Sequence, residues 1–151
     1  MTRDADALLL AIKPIFVARI LGGAKRIELR RGRLNARVGQ VVLIYSSSPE
    51  MALVASAVVG SVEIGTPSAL WKSTREAAGV TRSEYDAYFD GAEHGTAIWL
   101  ENIKSLATRF ALAELRRRWP WFYAPQSYRF VSVVFKAGAR EIASLAPRVV
   151  G

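Results

Sequence analysis

Four charged side chains set between apolar ones, directly after a pair of glycines, constrain this chain more than any other part of it. The run is Gly23-Ala24-Lys25-Arg26-Ile27-Glu28-Leu29-Arg30. Gly22 and Gly23 close a helical apolar period, Ile15, Phe16, Ile20 and Leu21, that begins at Pro14, where proline suits a first helical turn. Beyond the glycines the residues alternate and predict a strand over Arg26–Arg31. Successive strand side chains point to opposite faces, so Ile27 and Leu29 go one way and Arg26, Glu28 and Arg30 the other. The fold must therefore offer a core to one face, and partners for a carboxylate among cations on the other.

The rest of the chain reads as short strands and helices. Leu8–Ile12 is an apolar run stopped at Lys13-Pro14, where proline biases its predecessor to extended geometry, and predicts a buried strand. A basic loop over residues 32–39, with Arg33 and Arg37, leads to a strand at Val41–Ser46. Met51–Ile64, rich in valine and alanine, predicts a long central strand. Thr66 caps a helix running from Pro67 towards Gly79, and Thr81-Arg82-Ser83-Glu84 is a capping box opening a second helix that ends before Gly91. Thr96–Ile103 reads as a strand, and Thr108–Trp119 as a helix with Leu112, Leu115 and Trp119 on one side and Arg116, Arg117 and Arg118 on the other. After Ser127 the tail predicts a short strand and then a helix around Lys136–Leu145. This order predicts an α+β fold in a single domain, residues 1–151.

Composition narrows the function classes. At 51% hydrophobic residues the chain can bury a substantial core. Its longest apolar stretch, Met51–Val59, is far short of the roughly 20 residues that span a bilayer, and the start lacks a basic-then-apolar pattern. The expectation is a cytoplasmic protein with no membrane partner. With no cysteine, disulfides, thiolate catalysis and zinc fingers are excluded. The net charge of +8 is segregated: residues 1–40 carry +6, residues 41–105 carry −4 and residues 106–151 carry +6. Two basic segments around an acidic middle suit a polyanion, because neutralising phosphates releases counterions whatever the base sequence.

The run at residues 23–30 resembles the Gly-x-Lys-x-x-Glu-x-Arg signature of the ASCH domain, a member of the PUA-like superfamily of small β-barrels that bind RNA. Leu10-Ala11-Ile12-Lys13-Pro14 is similar to that family's opening strand, and Val41–Ser47 to its second barrel strand. Leu70-Trp71-Lys72, Tyr85–Phe89 and Pro125–Tyr128 extend the resemblance over residues 8 to 130. It implies a PUA-like β-barrel of ASCH type decorated with helices, with RNA or another single-stranded nucleic acid as partner. Some ASCH proteins are associated with RNA cleavage. Another branch hydrolyses acetylated cytidine, but it has a threonine where this chain has Glu28 and a catalytic glutamate without a counterpart here.

Read as chemistry, Lys25 and Arg30 suit a phosphate or base edge, with Glu28 orienting them; the same Glu28 and Arg30 also serve as an ion pair fixing a strand. Tyr45, Ser46 and Ser47 end an apolar strand in hydroxyls, and Gln126, Ser127, Tyr128 and Arg129 form a second polar-aromatic group, suited to unstacked bases. Lys13, Arg26, Arg33, Arg117 and Arg118 complete the candidate nucleic-acid contacts. Trp71, Tyr85, Tyr88, Phe89 and Trp99 read as core. His94 is the only histidine and lies in an expected loop, so a histidine-based triad or two-histidine nuclease is not expected, and no acidic cluster has metal-ligand spacing. No metal or cofactor is expected. Two functions suit these residues: RNA binding in a basic cleft, or metal-independent RNA cleavage there by Lys25, Glu28, Tyr45 and Ser127, since RNA carries its own 2′-hydroxyl nucleophile. A module for a modified nucleoside or regulatory ligand is a third.

Overall fold

The structure, a computed structural model, describes residues 4–136 and 141–148. In chain order its elements are β1 (Asp4–Ile12), α1 (Pro14–Leu21), β2 (Ile27–Arg31), β3 (Val41–Ser46), β4 (Ala52–Gly65), α2 (Pro67–Thr74), α3 (Arg82–Phe89), β5 (Gly95–Ala111), α4 (Leu112–Arg118), β6 (Tyr128–Phe135) and β7 (Ile142–Pro147). The strands form one mixed sheet in the order β2-β5-β4-β3-β1-β6-β7, in which β1 and β3 run parallel and every other pair is antiparallel.

β1 shows why the run after Asp6 is unbroken in its apolarity. Leu8, Leu10 and Ile12 join an inner core with Val17 and Ile20 of α1, Val42 and Ile44 of β3, and Ile98 and Leu100 of β5. Ala7 and Leu9 face an outer core with Leu43, Tyr45, Phe110, Leu115 and Phe122. A strand covered on both faces loses the polar alternation of a half-exposed one. That β1 and β5 meet in one core, although two strands separate them in the sheet, shows how strongly the sheet curls. Register shifts between Leu53 and Ala55, Ser56 and Val58, and Val59 and Ser61 lie along the β4–β5 pair, where bulges increase bending and twist.

The expected barrel does not close. Among the described residues, the edge strands β2 and β7 have no pairing with each other, so the sheet is open. Where β2 approaches the end of β1, a side chain spans the space in place of a backbone ladder. The Arg30 Nη2 donates to the Ala11 carbonyl at 2.8 Å, and Nη1 donates to the Ser127 carbonyl at 3.2 Å. A guanidinium holds the strands one side chain apart, which leaves a cavity beside it.

Three local expectations need correction. Thr108–Ala111 is not helical: β5 continues through it and pairs Phe110 with Leu53 and Ala111 with Ala52, leaving a helix of seven residues at Leu112–Arg118. Pairing along β4, with Leu106 and Phe110 in the outer core, outweighs the helical period there. The tail is a β6–β7 hairpin, so the helix expected around Lys136–Leu145 is a strand from Ile142 onwards, and residues 137–140 lie outside the described residues. β2 has no exposed charged face: Ile27 and Leu29 pack against Leu70, Tyr85 and Phe89 of α2 and α3, while Glu28 and Arg30 are buried on the other side. The Thr81 capping box is formed as read, with Thr81 Oγ1 accepting from the Glu84 N–H and Glu84 Oε1 accepting from the Thr81 N–H. No described helix is long and apolar enough to cross a membrane.

The packing of α2 and α3 on β5 depends on Gly95, where an added Cβ would lie 2.5 Å from the Phe89 ring and 2.9 Å from a Leu70 methyl. Gly95→Ala should destabilise the fold by about 1–3 kcal/mol, the usual range for overpacking, read as a lower midpoint in urea unfolding.

Candidate functional site

The site is built where α1 hands over to β2. Gly22 and Gly23 end the helix, and the Lys25 N–H returns to the Arg19 carbonyl at 3.0 Å, so Lys25 turns inward rather than out to water. It is 2% exposed, and its Nζ donates to the Ala78 carbonyl at 2.8 Å. The backbone opposite must come very close to permit this. Gly79 has φ +64°, and a Cβ there would fall 2.3 Å from the Lys25 Cβ, so only glycine fits.

Glu28, early in β2, receives both neighbouring cations. Its Oε1 lies 3.8 Å from Lys25 Nζ and accepts from the Leu29 N–H at 3.2 Å, while its Oε2 accepts from Arg30 Nη2 at 3.0 Å. Arg30 Nη1 also donates to the Ser127 Oγ at 3.1 Å, and Arg30 Nε is buried without a partner. Lys25, Glu28 and Arg30 thus form a buried row of charges, plus, minus, plus, with a net positive charge. Burial, the dominant influence, lowers the Lys25 pKa below the usual lysine value; Arg19 and Arg30 push the same way and Glu28 opposes them.

This row forms one wall of a cavity of about 420 Å³. Ala11, Ile12, Lys13 and Phe16 bound it where β1 meets α1, and Ser47 lies after β3. Pro125, Gln126 and Ser127 close the side ahead of β6. The remaining wall is one face of α3 with the residue before its cap: Val80, Glu84, Tyr85 and Tyr88. Glu84 is held by Arg19 at 2.9 Å, and that hydrogen bond first, then the Thr81 N–H, lowers its pKa to about 2. Tyr85 donates to the Pro67 carbonyl at 2.6 Å and burial pushes its phenol up to about 12; burial also raises that of Tyr88. Both phenols stay protonated at neutral pH. With Glu84 neutralised by Arg19, the cavity presents cations, hydroxyls and aromatic faces, which suits an anion carrying a planar group.

Of the residues singled out in the sequence, Lys13, Lys25, Glu28, Arg30, Gln126 and Ser127 come together on this cavity. Tyr45 and Ser46 stand behind its wall: they are 2% and 0% exposed, and both hydroxyls are buried without a hydrogen-bond partner among the described residues. Tyr45 lies opposite Ala11, which lines the cavity, and its ring packs on Phe122. Arg26 and Arg33 are exposed and do not line the cavity. On α4, Arg117 pairs with Glu114 and Arg118 lies over Phe110 and Trp119. Arg129 stacks on Tyr123. The sequence reading gave Tyr85 and Tyr88 to the core: Tyr85 is in it, 2% exposed beside Ile27 and Leu29, and also lines the cavity, whereas Tyr88 lines the cavity and is 41% exposed. The capping box fixed the helix that shows residues 84, 85 and 88 on one face; nothing in the sequence said what that face meets.

No protein-family model matches the chain. A curated protein of Zymomonas mobilis, an ASCH domain-containing ribonuclease, is 24% identical over 146 residues, which cover 97% of this chain and 96% of that one. The crystal structure of ASCH from Zymomonas mobilis superposes with a TM-score of 0.75 at 24% identity, covering 82% of this chain and 86% of that one. The crystal structure of a tyrosine-to-phenylalanine mutant of that protein gives 0.76 at 23%, covering 82% and 88%. Over that four-fifths of the chain the fold described above is similar to those structures. This chain is similar in sequence to an ASCH-domain protein over nearly its whole length and has the fold of the ASCH structures.

The buried lysine gives a stability signature. A lysine whose pKa is depressed on folding opposes the fold while it is protonated, and that opposition fades as pH rises from its folded pKa towards 10.5. Lys25→Met keeps the Glu28–Arg30 pair and removes the buried ammonium. It should be at least as stable as the parent at pH 7, and the difference between the two should shrink by pH 10, measured by urea unfolding at both pH values.

Proposed function

We propose that this protein takes single-stranded RNA into the Lys25–Glu28–Arg30 cavity and cleaves it through the RNA 2′-hydroxyl. The observation that carries this reading is the buried lysine of lowered basicity, set beside a fixed arginine on a cavity with aromatic walls. The resemblance over nearly the whole chain to a protein that is a ribonuclease supports it. RNA also supplies the anion, the planar bases and the nucleophile for which the cavity has partners.

Each step can be assigned to a group. The deprotonated fraction of Lys25, enlarged by burial, takes the proton of the 2′-hydroxyl as the 2′-oxygen bonds to the adjacent phosphorus. Arg30, with Lys13 at the cavity edge, faces the negative charge gathering on the non-bridging phosphate oxygens. The bond from phosphorus to the 5′-oxygen breaks, and that oxygen takes a proton passed through a bridging water from the Tyr45 hydroxyl behind the wall, which recovers it from Lys25. The products are a 2′,3′-cyclic phosphate and a 5′-hydroxyl. Glu28 keeps Arg30 and Lys25 in place, and Ser127, bonded to Arg30, aligns the strand. Tyr45 is given its role because a buried hydroxyl without a partner is costly and calls for an explanation. Arg26, Arg33, Arg117 and Arg118 act on RNA beyond the cavity.

Incubation of labelled single-stranded RNA in EDTA tests the reading. We expect cleavage to a cyclic phosphate, lost in Lys25→Ala and on an RNA with a single 2′-deoxy residue at the cleaved position. Binding without cleavage would leave a recognition module, and cleavage retained by Lys25→Ala would remove the lysine from the reaction.

Tyr45→Phe separates catalysis from folding. The lost hydroxyl makes no hydrogen bond, so its removal should cost no stability. Cleavage should fall about a hundredfold or more, in the range typical of losing one proton-transfer group; an unchanged rate would leave the tyrosine a packing residue.

A further inference from the structure

The segment that closes the cavity ahead of β6 carries a stacked pair at its two ends. The Arg129 guanidinium carbon lies 3.6 Å from the centroid of the Tyr123 ring and 5.2 Å from that of Trp121, and Arg129 Nη1 donates to the Tyr123 carbonyl at 3.4 Å. Between them, Pro125, Gln126 and Ser127 line the cavity, so the stack begins two residues beyond the wall. Tyr123 is 56% exposed. With one face of the ring under the guanidinium, exposure that large leaves the opposite face open to solvent. Gln126, exposed on the same segment, adds an amide that can donate or accept.

Neither ring nor guanidinium is needed by the core. Tyr123 belongs to none of the apolar clusters, whereas its neighbours Phe122 and Trp121 pack in the outer core. An exposed tyrosine held flat by an arginine is a preformed aromatic surface, ordered in advance and positively charged from beneath. Nucleic-acid bases stack on such surfaces, and the cation adds both its own interaction with the π system and attraction for the phosphate chain.

We propose that the Tyr123–Arg129 stack is a base platform outside the cavity, on which the nucleotide next to the one held at Lys25 and Arg30 lays its base. This inference rests on reading the cavity as an RNA site and names how the rest of the strand is held. The ligand is then a strand of at least two nucleotides rather than a mononucleotide. The outer position is tolerant of base identity, because every base offers a π face to stack.

The test is equilibrium binding of a fluorescent 2′-fluoro octanucleotide, which lacks the 2′ nucleophile and is not consumed, with an unlabelled 2′-fluoro mononucleotide as competitor. The proteins compared are the parent, Tyr123→Ala, Tyr123→Phe and Arg129→Ala. We expect Tyr123→Ala to weaken octanucleotide binding about tenfold, within the range for removing one stacked base. Arg129→Ala should weaken it as well, and Tyr123→Phe, which keeps the ring, should leave it near the parent value. The mononucleotide competition constant should not change in any variant. Parent-like octanucleotide binding in both alanine variants would overturn the platform and leave the cavity reading standing. An equal loss for octanucleotide and mononucleotide would also overturn it, by placing Tyr123 within the cavity's own wall. No octanucleotide binding by the parent would overturn both.

Discussion

The Arg30 guanidinium is the contact on which the site depends. It reaches from β2 to the Ala11 carbonyl, to the Ser127 carbonyl, which also accepts the Ala11 N–H, and to the carboxylate two residues before it. Without it the Ala11 carbonyl would lose the donor it takes from β2, and an unpaired backbone group is costly when buried. With it, the sheet stays open by the width of one side chain. The cavity is therefore a product of incomplete closure: a fully paired barrel would have backbone where the substrate is proposed to sit.

Holding that gap open requires charge in a dry place, and the arrangement shows how the charge is tolerated. Glu28 sits between Lys25 and Arg30 and is shared by both, while its remaining capacity goes to the backbone. Arg30 directs its two terminal nitrogens at fixed oxygens. Lys25 is the least compensated member, with one carbonyl and a distant carboxylate against nearly complete burial. Removing Glu28 would leave two buried cations with the full desolvation penalty and no counter-charge, so the row depends on its carboxylate. The lysine with the least support is also the one whose basicity burial lowers, which is the property proton transfer near neutral pH needs.

Much of this was legible in the chain, and the parts that were not have identifiable causes. The Thr81 capping box, the proline-led first turn of α1, the Val41–Ser46 strand and the long β4 all rest on local chemistry that the sequence carries in full. The failures came where a distant strand decided. Residues 108–111 have a helical period but take the partner that β4 offers, and β7 forms because β6 lies beside it. Tyr88 is an aromatic residue on a helix, and such residues are usually core; only the open space beside β2 makes it, with the buried Tyr85, a wall. The two-faced reading of β2 was right about alternation and wrong about solvent, because alternation specifies which residues share a face and not what covers it.

By itself, then, the sequence determined that Lys25, Glu28 and Arg30 would be placed together, since their spacing on a turn and a strand leaves little freedom, and that the chain would be basic at both ends. It also determined that no cysteine or histidine cluster would take part. The tertiary structure alone decided that these charges would be buried, that Ser127 from nearly one hundred positions away would bond to Arg30, and that Tyr45 would lie behind the wall with its hydroxyl unpaired. The physical reason is the same in each case. Adjacency in a strand is set by backbone geometry within a few residues, whereas burial and partnership are set by how far a curled sheet closes, a property of all its strands at once.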